Sequence, residues 1–111
     1  MADRPMITVP VAKVLAALLA DPTADRYGLE LIRATGLPSG TLYPILVRLE
    51  RAGWLHARWE DVAPAEAGRP ARRYYRLSGA GAREARLELA ALHGQTRPAG
   101  VRPAAIAGEP A

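Results

Sequence analysis

Leu37 to Gly53, LPSGTLYPILVRLERAG, is the stretch from which the rest of the chain can be read. Leu42, Ile45, Leu46 and Leu49 recur at helical spacing and fall within about 100° of one another on a 3.6-residue helix, which makes them one buried stripe. Ser39 supplies an N-cap, the helix runs to Arg51, and Ala52-Gly53 ends it. Opposite the stripe lie Gly40, Pro44, Val47 and Arg51, with Thr41 and Arg48 on one flank and Tyr43 on the other. The front end of this helix is uncharged. Pro44 removes one backbone hydrogen bond and bends the helix, or else it marks a later helix start at about Tyr43.

Upstream, Val11, Val14, Leu15, Leu18 and Leu19 follow Thr8 at i, i+3, i+4, i+7 and i+8 spacing. This is an amphipathic helix with Thr8 as N-cap and Pro10 in its first turn, closed by Asp21-Pro22. A second helix spans about Asp25 to Thr35, with Tyr27, Leu31 and Ile32 inward and Gly36 as its left-handed stop. Only three or four residues separate it from the third helix. That spacing suits a helix-turn-helix joint, although any two packed helices can share such a loop.

Downstream, the period changes to two. Leu55, Ala57 and Trp59 alternate with His56, Arg58 and Glu60 over a strand from Trp54 to Glu60. A second strand, Ala71 to Leu77, places Tyr75 and Leu77 on one face and Arg72, Tyr74 and Arg76 on the other. The two form a hairpin around the Ala-, Pro- and Gly-rich loop Asp61 to Pro70, expected to have a mobile tip. Alternation puts Trp59 and Tyr75 in the core and leaves Tyr74 as the one aromatic outside. Ser78 caps a fourth helix over Gly79 to His93, in which Ala82, Ala85, Leu89 and Leu92 form a stripe flanked by Leu87, and Gly94 stops it.

The order α-α-α-β-β-α is that of a mainly α (α+β) winged helix-turn-helix with a C-terminal helix. The expected divisions are a flexible arm over 1–7, the winged helix-turn-helix over 8–78, a dimerisation helix over 79–93 and a disordered tail over 94–111, where prolines, glycines and alanines without period cannot repay ordering. At 111 residues there is room for one domain. A chain of this size buries only about 60–65% of its unfolded surface, so a partner subunit would help, and a homodimer is expected.

Composition narrows the chemistry. There is no cysteine, which removes disulfides, thiolate zinc sites and cysteine nucleophiles. His56 and His93 lack acidic or histidine neighbours at ligand spacing, Ser39 and Ser78 read as caps, and neither a metal, a cofactor nor an enzyme active site is expected. The apolar run Val9 to Ala20 contains Lys13 and is too short for a bilayer, and no signal-peptide pattern is present, so a cytoplasmic protein without membrane contact is expected.

The net charge is +4, and it is concentrated. Arg69, Arg72, Arg73 and Arg76 lie between Gly68 and Arg76 without an acid, and the remaining eleven basic residues equal the eleven acids. Fourteen of the fifteen basic residues are arginines, which genomic base composition alone can produce, but composition does not explain the clustering. Arg69, between Gly68 and Pro70, is placed to enter a minor groove, while Arg72 and Arg73 are placed nearer phosphates. Charge that protects a strand edge is the alternative. On the third helix, Gly40 allows close approach, Thr41 and Tyr43 offer hydrogen bonds, Pro44 offers an apolar surface for a thymine methyl, and Arg48 suits a phosphate.

The segments YGLELI (Tyr27 to Ile32), SGTLYPILVRLERAGWL (Ser39 to Leu55) and GRPARRYYRLSGAG (Gly68 to Gly81) resemble the PadR-like transcriptional regulators. The resemblance covers about residues 10–93. It implies a winged-helix repressor that acts as a homodimer, with the last helix as the main dimerisation element and helix one packed against it. By position, Ser39, Thr41, Tyr43 and Pro44 look like the groove-contacting end of the recognition helix, and Arg69, Arg72 and Arg73 like wing contacts. Val11, Leu15, Leu87, Leu89 and Leu92 would then lie in the dimer interface. The turn between helices two and three is tighter than in many members. The short last helix also lacks the tryptophan used in the pocket of drug-binding members, so the resemblance does not extend to a multidrug site. The expected partner is double-stranded DNA carrying a pseudo-palindromic operator, with a small-molecule effector left open. A dimeric winged-helix adaptor that does not read DNA is the competing reading.

Overall fold

The computed structural model describes residues 4–96. Helix α1 (Val9–Leu19) starts where the Thr8 hydroxyl accepts the Val11 N–H at 3.3 Å, with Pro10 in the first turn where no donor is missed. Its stripe of Val11, Val14, Leu15 and Leu18 is buried. Strand β1 (Arg26–Tyr27) comes next and runs directly into helix α2 (Gly28–Thr35). The second helix therefore starts at Gly28 and not at Asp25, because Arg26 and Tyr27 pair with Tyr75 and Tyr74 in an extended conformation. Gly36, at φ +74°, closes α2 by donating its N–H to the Ile32 carbonyl at 2.8 Å.

Three residues, Gly36 to Pro38, then turn the chain into helix α3 (Ser39–Arg51). The capping position belongs to Pro38, whose carbonyl accepts the Thr41 and Leu42 N–H groups at 3.0 and 2.9 Å, and Ser39 is the first helical residue. Pro44 lies inside the helix, so the start is the earlier of the two considered. Leu42, Ile45, Leu46 and Leu49 are buried as the spacing requires.

Strands β2 (Leu55–Trp59) and β3 (Arg73–Leu77) pair antiparallel from Leu55 with Leu77 to Trp59 with Arg73, and β1 adds to the other edge of β3. Between β2 and β3 the wing contains a short helix, α4 (Pro64–Ala67), followed by Gly68 at φ +70°. Leu55, Tyr75 and Leu77 join the helical stripes, Leu31, Trp54 and Ala85 in one core. The fold is α+β, with five helices and a three-stranded antiparallel sheet among the described residues.

Helix α5 (Gly79–Thr96) is fixed to this unit at its first turn. The Ser78 hydroxyl accepts the Gly81 N–H at 2.9 Å and donates to the Gly53 carbonyl at 2.8 Å, while the Ser78 N–H bonds the Trp54 carbonyl. A Cβ on Gly81 would stand 2.1 Å from the Trp54 carbonyl oxygen, so only glycine lets the two backbones meet. The helix continues through Gly94, which is not its stop. Of the expected tail, residues 97–111 lie outside the described residues, as do residues 1–3 of the expected arm. The described part of that arm is docked. Arg4 pairs with Glu84 at 2.9 Å and with Glu88, its guanidinium sits 5.8 Å from the Trp54 ring centroid, and Ile7 packs on the core.

Two residues expected at a dimer interface lie elsewhere. Leu15 has no exposed surface and Val11 is 5% exposed, because α1 spends its stripe on the core of its own subunit. On α5, Leu87 is 61% exposed and Leu89 and Leu92 are half-buried.

Candidate nucleic-acid interface

With the α3 stripe committed to the core, the opposite side of the helix faces outward. Ser39, Gly40, Tyr43, Pro44, Val47 and Arg48 are exposed and Thr41 is half-buried. No acid lies in the first turn, and the Ser39 and Gly40 N–H groups precede the first bonded donors of the ladder. The positive end of the helix is thus free of competing carboxylates. Gly40 has open space where a Cβ would point, which permits close approach to its backbone, and Pro44 has no N–H to give the Gly40 carbonyl.

Tyr43 leans away from this face. Its hydroxyl would lie 2.0 Å from a Cβ on Gly28, so the ring rests on the first residue of α2 and only glycine makes room for it. Tyr43 remains 42% exposed along the ring.

Intramolecular partners hold the wing arginines in place. Arg69 donates from both terminal nitrogens to the Glu60 carboxylate, at 2.7 and 2.9 Å, and the Arg72 backbone N–H adds a third bond to the same carboxylate at 3.3 Å. The Arg69 guanidinium holds the Glu60 carboxyl down at about 2. Arg69, expected to be free for a minor groove, is therefore first a clasp across the base of the wing. Arg72 lies over the Tyr27 ring, 4.0 Å from its centroid. Tyr27 meets Tyr74 edge to face at 5.7 Å, and Arg58 covers Tyr74 while bonding Asp25 at 2.8 Å. Arg73 lies 5.1 Å from the Trp59 centroid and 3.3 Å from the Glu50 carboxylate. Burial pushes the Tyr75 phenol up, so it stays neutral.

These elements enclose a crevice of about 560 Å³ between wing and helices. Tyr43 of α3, Gly28 and Leu29 of α2, Trp59 of β2, and Arg69 to Arg73 and Tyr75 on the β3 side line it. The sequence reading missed Trp59 as part of this surface. Alternation placed it correctly on the face shared with Tyr75, but it is 61% exposed, because β2 runs past the end of the helical core. A signal was available in the alternation itself, since Arg73, two residues before Tyr75 and so on the same face, is a residue unsuited to a core.

The sequence model of the transcriptional regulator PadR-like family matches residues 14–87, which is 74 of the 111 residues. The chain belongs to the PadR-like family. This PadR-like protein is thus a DNA-binding transcription regulator, of a family whose members are transcription factors and not enzymes.

Solved structures agree with the fold. A PadR family transcriptional regulator from Eggerthella lenta is 25% identical, with a TM-score of 0.62 and 78% of each chain covered. A PadR-like transcription factor from Bacteroides fragilis, at 22% identity and a TM-score of 0.60, covers 78% of this chain and 86% of its own. The PcaV transcriptional regulator from Streptomyces coelicolor, in complex with its natural ligand, is similar in fold at 24% identity and a TM-score of 0.57, covering 84% of this chain and 64% of its own. No curated protein matches the chain. Among the described residues of the PadR-like protein, no helix is long and apolar enough to cross a membrane.

Proposed function

We propose that this PadR-like regulator is a cytoplasmic homodimeric repressor that reads a pseudo-palindromic operator with the N-terminal half of α3 and holds it with the wing. The observation that carries the reading is the exposed, acid-free front of α3 beside an arginine-lined wing. A neutral tip of Ser39, Gly40, Thr41 and Pro44 suits base edges and close backbone approach, because discrimination needs shape and hydrogen bonds more than charge. Arg48 and Arg72 supply phosphate contacts, Arg73 joins them from its ion-paired position, and Arg69, clasped by Glu60, stands at the base of the wing for the minor groove. Membership of a DNA-binding family sets the adaptor alternative aside.

Dimerisation fits α5, where Leu87 is exposed beside the half-buried Leu89 and Leu92. A twofold that pairs two α5 helices would present two recognition helices to half-sites about one helical turn apart. A small-molecule effector is compatible with the ligand seen in the structurally similar PcaV regulator. Footprinting over the regulator's own promoter with a salt titration tests the reading. A protected inverted repeat whose occupancy represses a reporter is expected, and no protection at low salt would overturn it.

A further inference from the structure

A helix in a major groove and a wing at the neighbouring minor groove are separated by one sugar–phosphate strand, which has to pass between the two elements. In this regulator the wing and the start of α2, with Tyr43 reaching in from α3, line a crevice of about 560 Å³. We propose that the crevice seats that strand and that Trp59 is the side chain that packs against it, an inference that rests on the DNA-reading function above.

The lining has the chemistry of a deoxyribose–phosphate chain, in which an apolar sugar face alternates with an anion. Leu29, Tyr43 and Trp59 are 43%, 42% and 61% exposed, so each turns open apolar surface towards the crevice they line. Arg72 and Arg73 flank them, each with its guanidinium over an aromatic ring, so that cation and apolar surface are presented side by side. No carboxylate lines the crevice, since Glu60 and Glu50, the partners of Arg69 and Arg73, are not among its walls. Gly28 leaves the floor open for the Tyr43 hydroxyl. A contact with the strand carries no base information, so Trp59 contributes affinity equally on every sequence.

The two tryptophans make the test direct, because Trp54 is 6% exposed and Trp59 is 61% exposed. Acrylamide quenching of the intact protein reports Trp59, and it is followed with a duplex of the regulator's own promoter and with a random-sequence duplex of equal length. Both duplexes are expected to protect Trp59. Trp59→Ala is expected to weaken both by roughly thirtyfold, the effect of losing about 40 Å² of buried apolar ring in each of the two subunits. Trp59→Phe should weaken them less, and circular dichroism should be unchanged for both variants.

Unchanged quenching at saturation, with Trp59→Ala binding like wild type, would overturn the assignment while DNA reading stands and would leave the crevice to a small ligand or a peptide segment. A loss confined to the promoter duplex would overturn it as well, by making Trp59 a reader of sequence. Binding to neither duplex by the wild-type protein would overturn both the crevice assignment and the function beneath it.

Discussion

The Glu60 carboxylate takes both terminal nitrogens of Arg69, at 2.7 and 2.9 Å, and the Arg72 backbone N–H at 3.3 Å, which ties the end of β2 to the return of the wing. Its carboxyl is lowered from 4.5 to about 2 by these partners, Arg69 foremost. A depressed folded-state value means that the clasp stabilises fully above about 4.5 and is lost as pH falls towards 2. Glu60→Gln at neutral pH should reproduce the loss. Amide hydrogen exchange is expected to rise over residues 61–72 and to stay unchanged in α1. Equal protection of the wing in both proteins would contradict the clasp.

Gly81 and Gly79 make a matched pair. Alanine at 81 drives its Cβ to 2.1 Å from the Trp54 carbonyl, whereas nothing lies within 4 Å of a Cβ at 79. Urea unfolding is expected to show Gly81→Ala destabilised by roughly 2 kcal/mol or more. Gly79→Ala should be neutral or stabilised by up to about 1 kcal/mol. Equal effects at both sites would mean that α5 is not fixed through its first turn.

For dimerisation, Leu87 is the more informative target because it is 61% exposed, whereas Leu89 packs partly on its own core. Leu87→Glu should leave secondary structure intact and shift sedimentation from dimer to monomer. A dimer that survives this change would move the interface away from α5. Val11→Ala and Leu15→Ala should lower stability without a specific effect on association, since both side chains are buried within the subunit.

Most of the architecture was legible in the sequence because α1, α2, α3 and α5 carry apolar stripes and usable termini, whereas the four-residue α4 has no stripe and reads as loop. Thr8, Gly36, Ser78 and the stripe of Leu42, Ile45, Leu46 and Leu49 play the parts that spacing assigned them. Non-local pairing was hidden. Arg26 and Tyr27 read as helix from local pattern and become strand only because β3 offers them an edge. Trp59 shows the same limit, since alternation gives the face of a side chain but not where the core ends. Among the candidate site residues, the α3 face followed from the stripe. The attachments of Arg69, Arg72 and Arg73 to Glu60, Tyr27 and Glu50 with Trp59 needed three dimensions.

Because phosphate binding releases counterions, about six phosphate contacts per dimer predict a slope of log affinity against log salt near −5. Arg72→Ala, which removes one wing cation from each subunit, should flatten the slope by about two. A slope unaffected by this change would show that Arg72 serves only the Tyr27 ring.

The division of labour between α3 and the wing is tested most directly by the ratio of affinities for the promoter duplex and a random duplex, measured by fluorescence anisotropy at one fixed salt concentration. Thr41→Ala combined with Pro44→Ala is expected to bring that ratio towards one while leaving random-duplex affinity near wild type, and Arg72→Ala to weaken both duplexes by the same factor. A ratio preserved in the Thr41/Pro44 variant, or lost in Arg72→Ala, would contradict reading by the helix and holding by the wing.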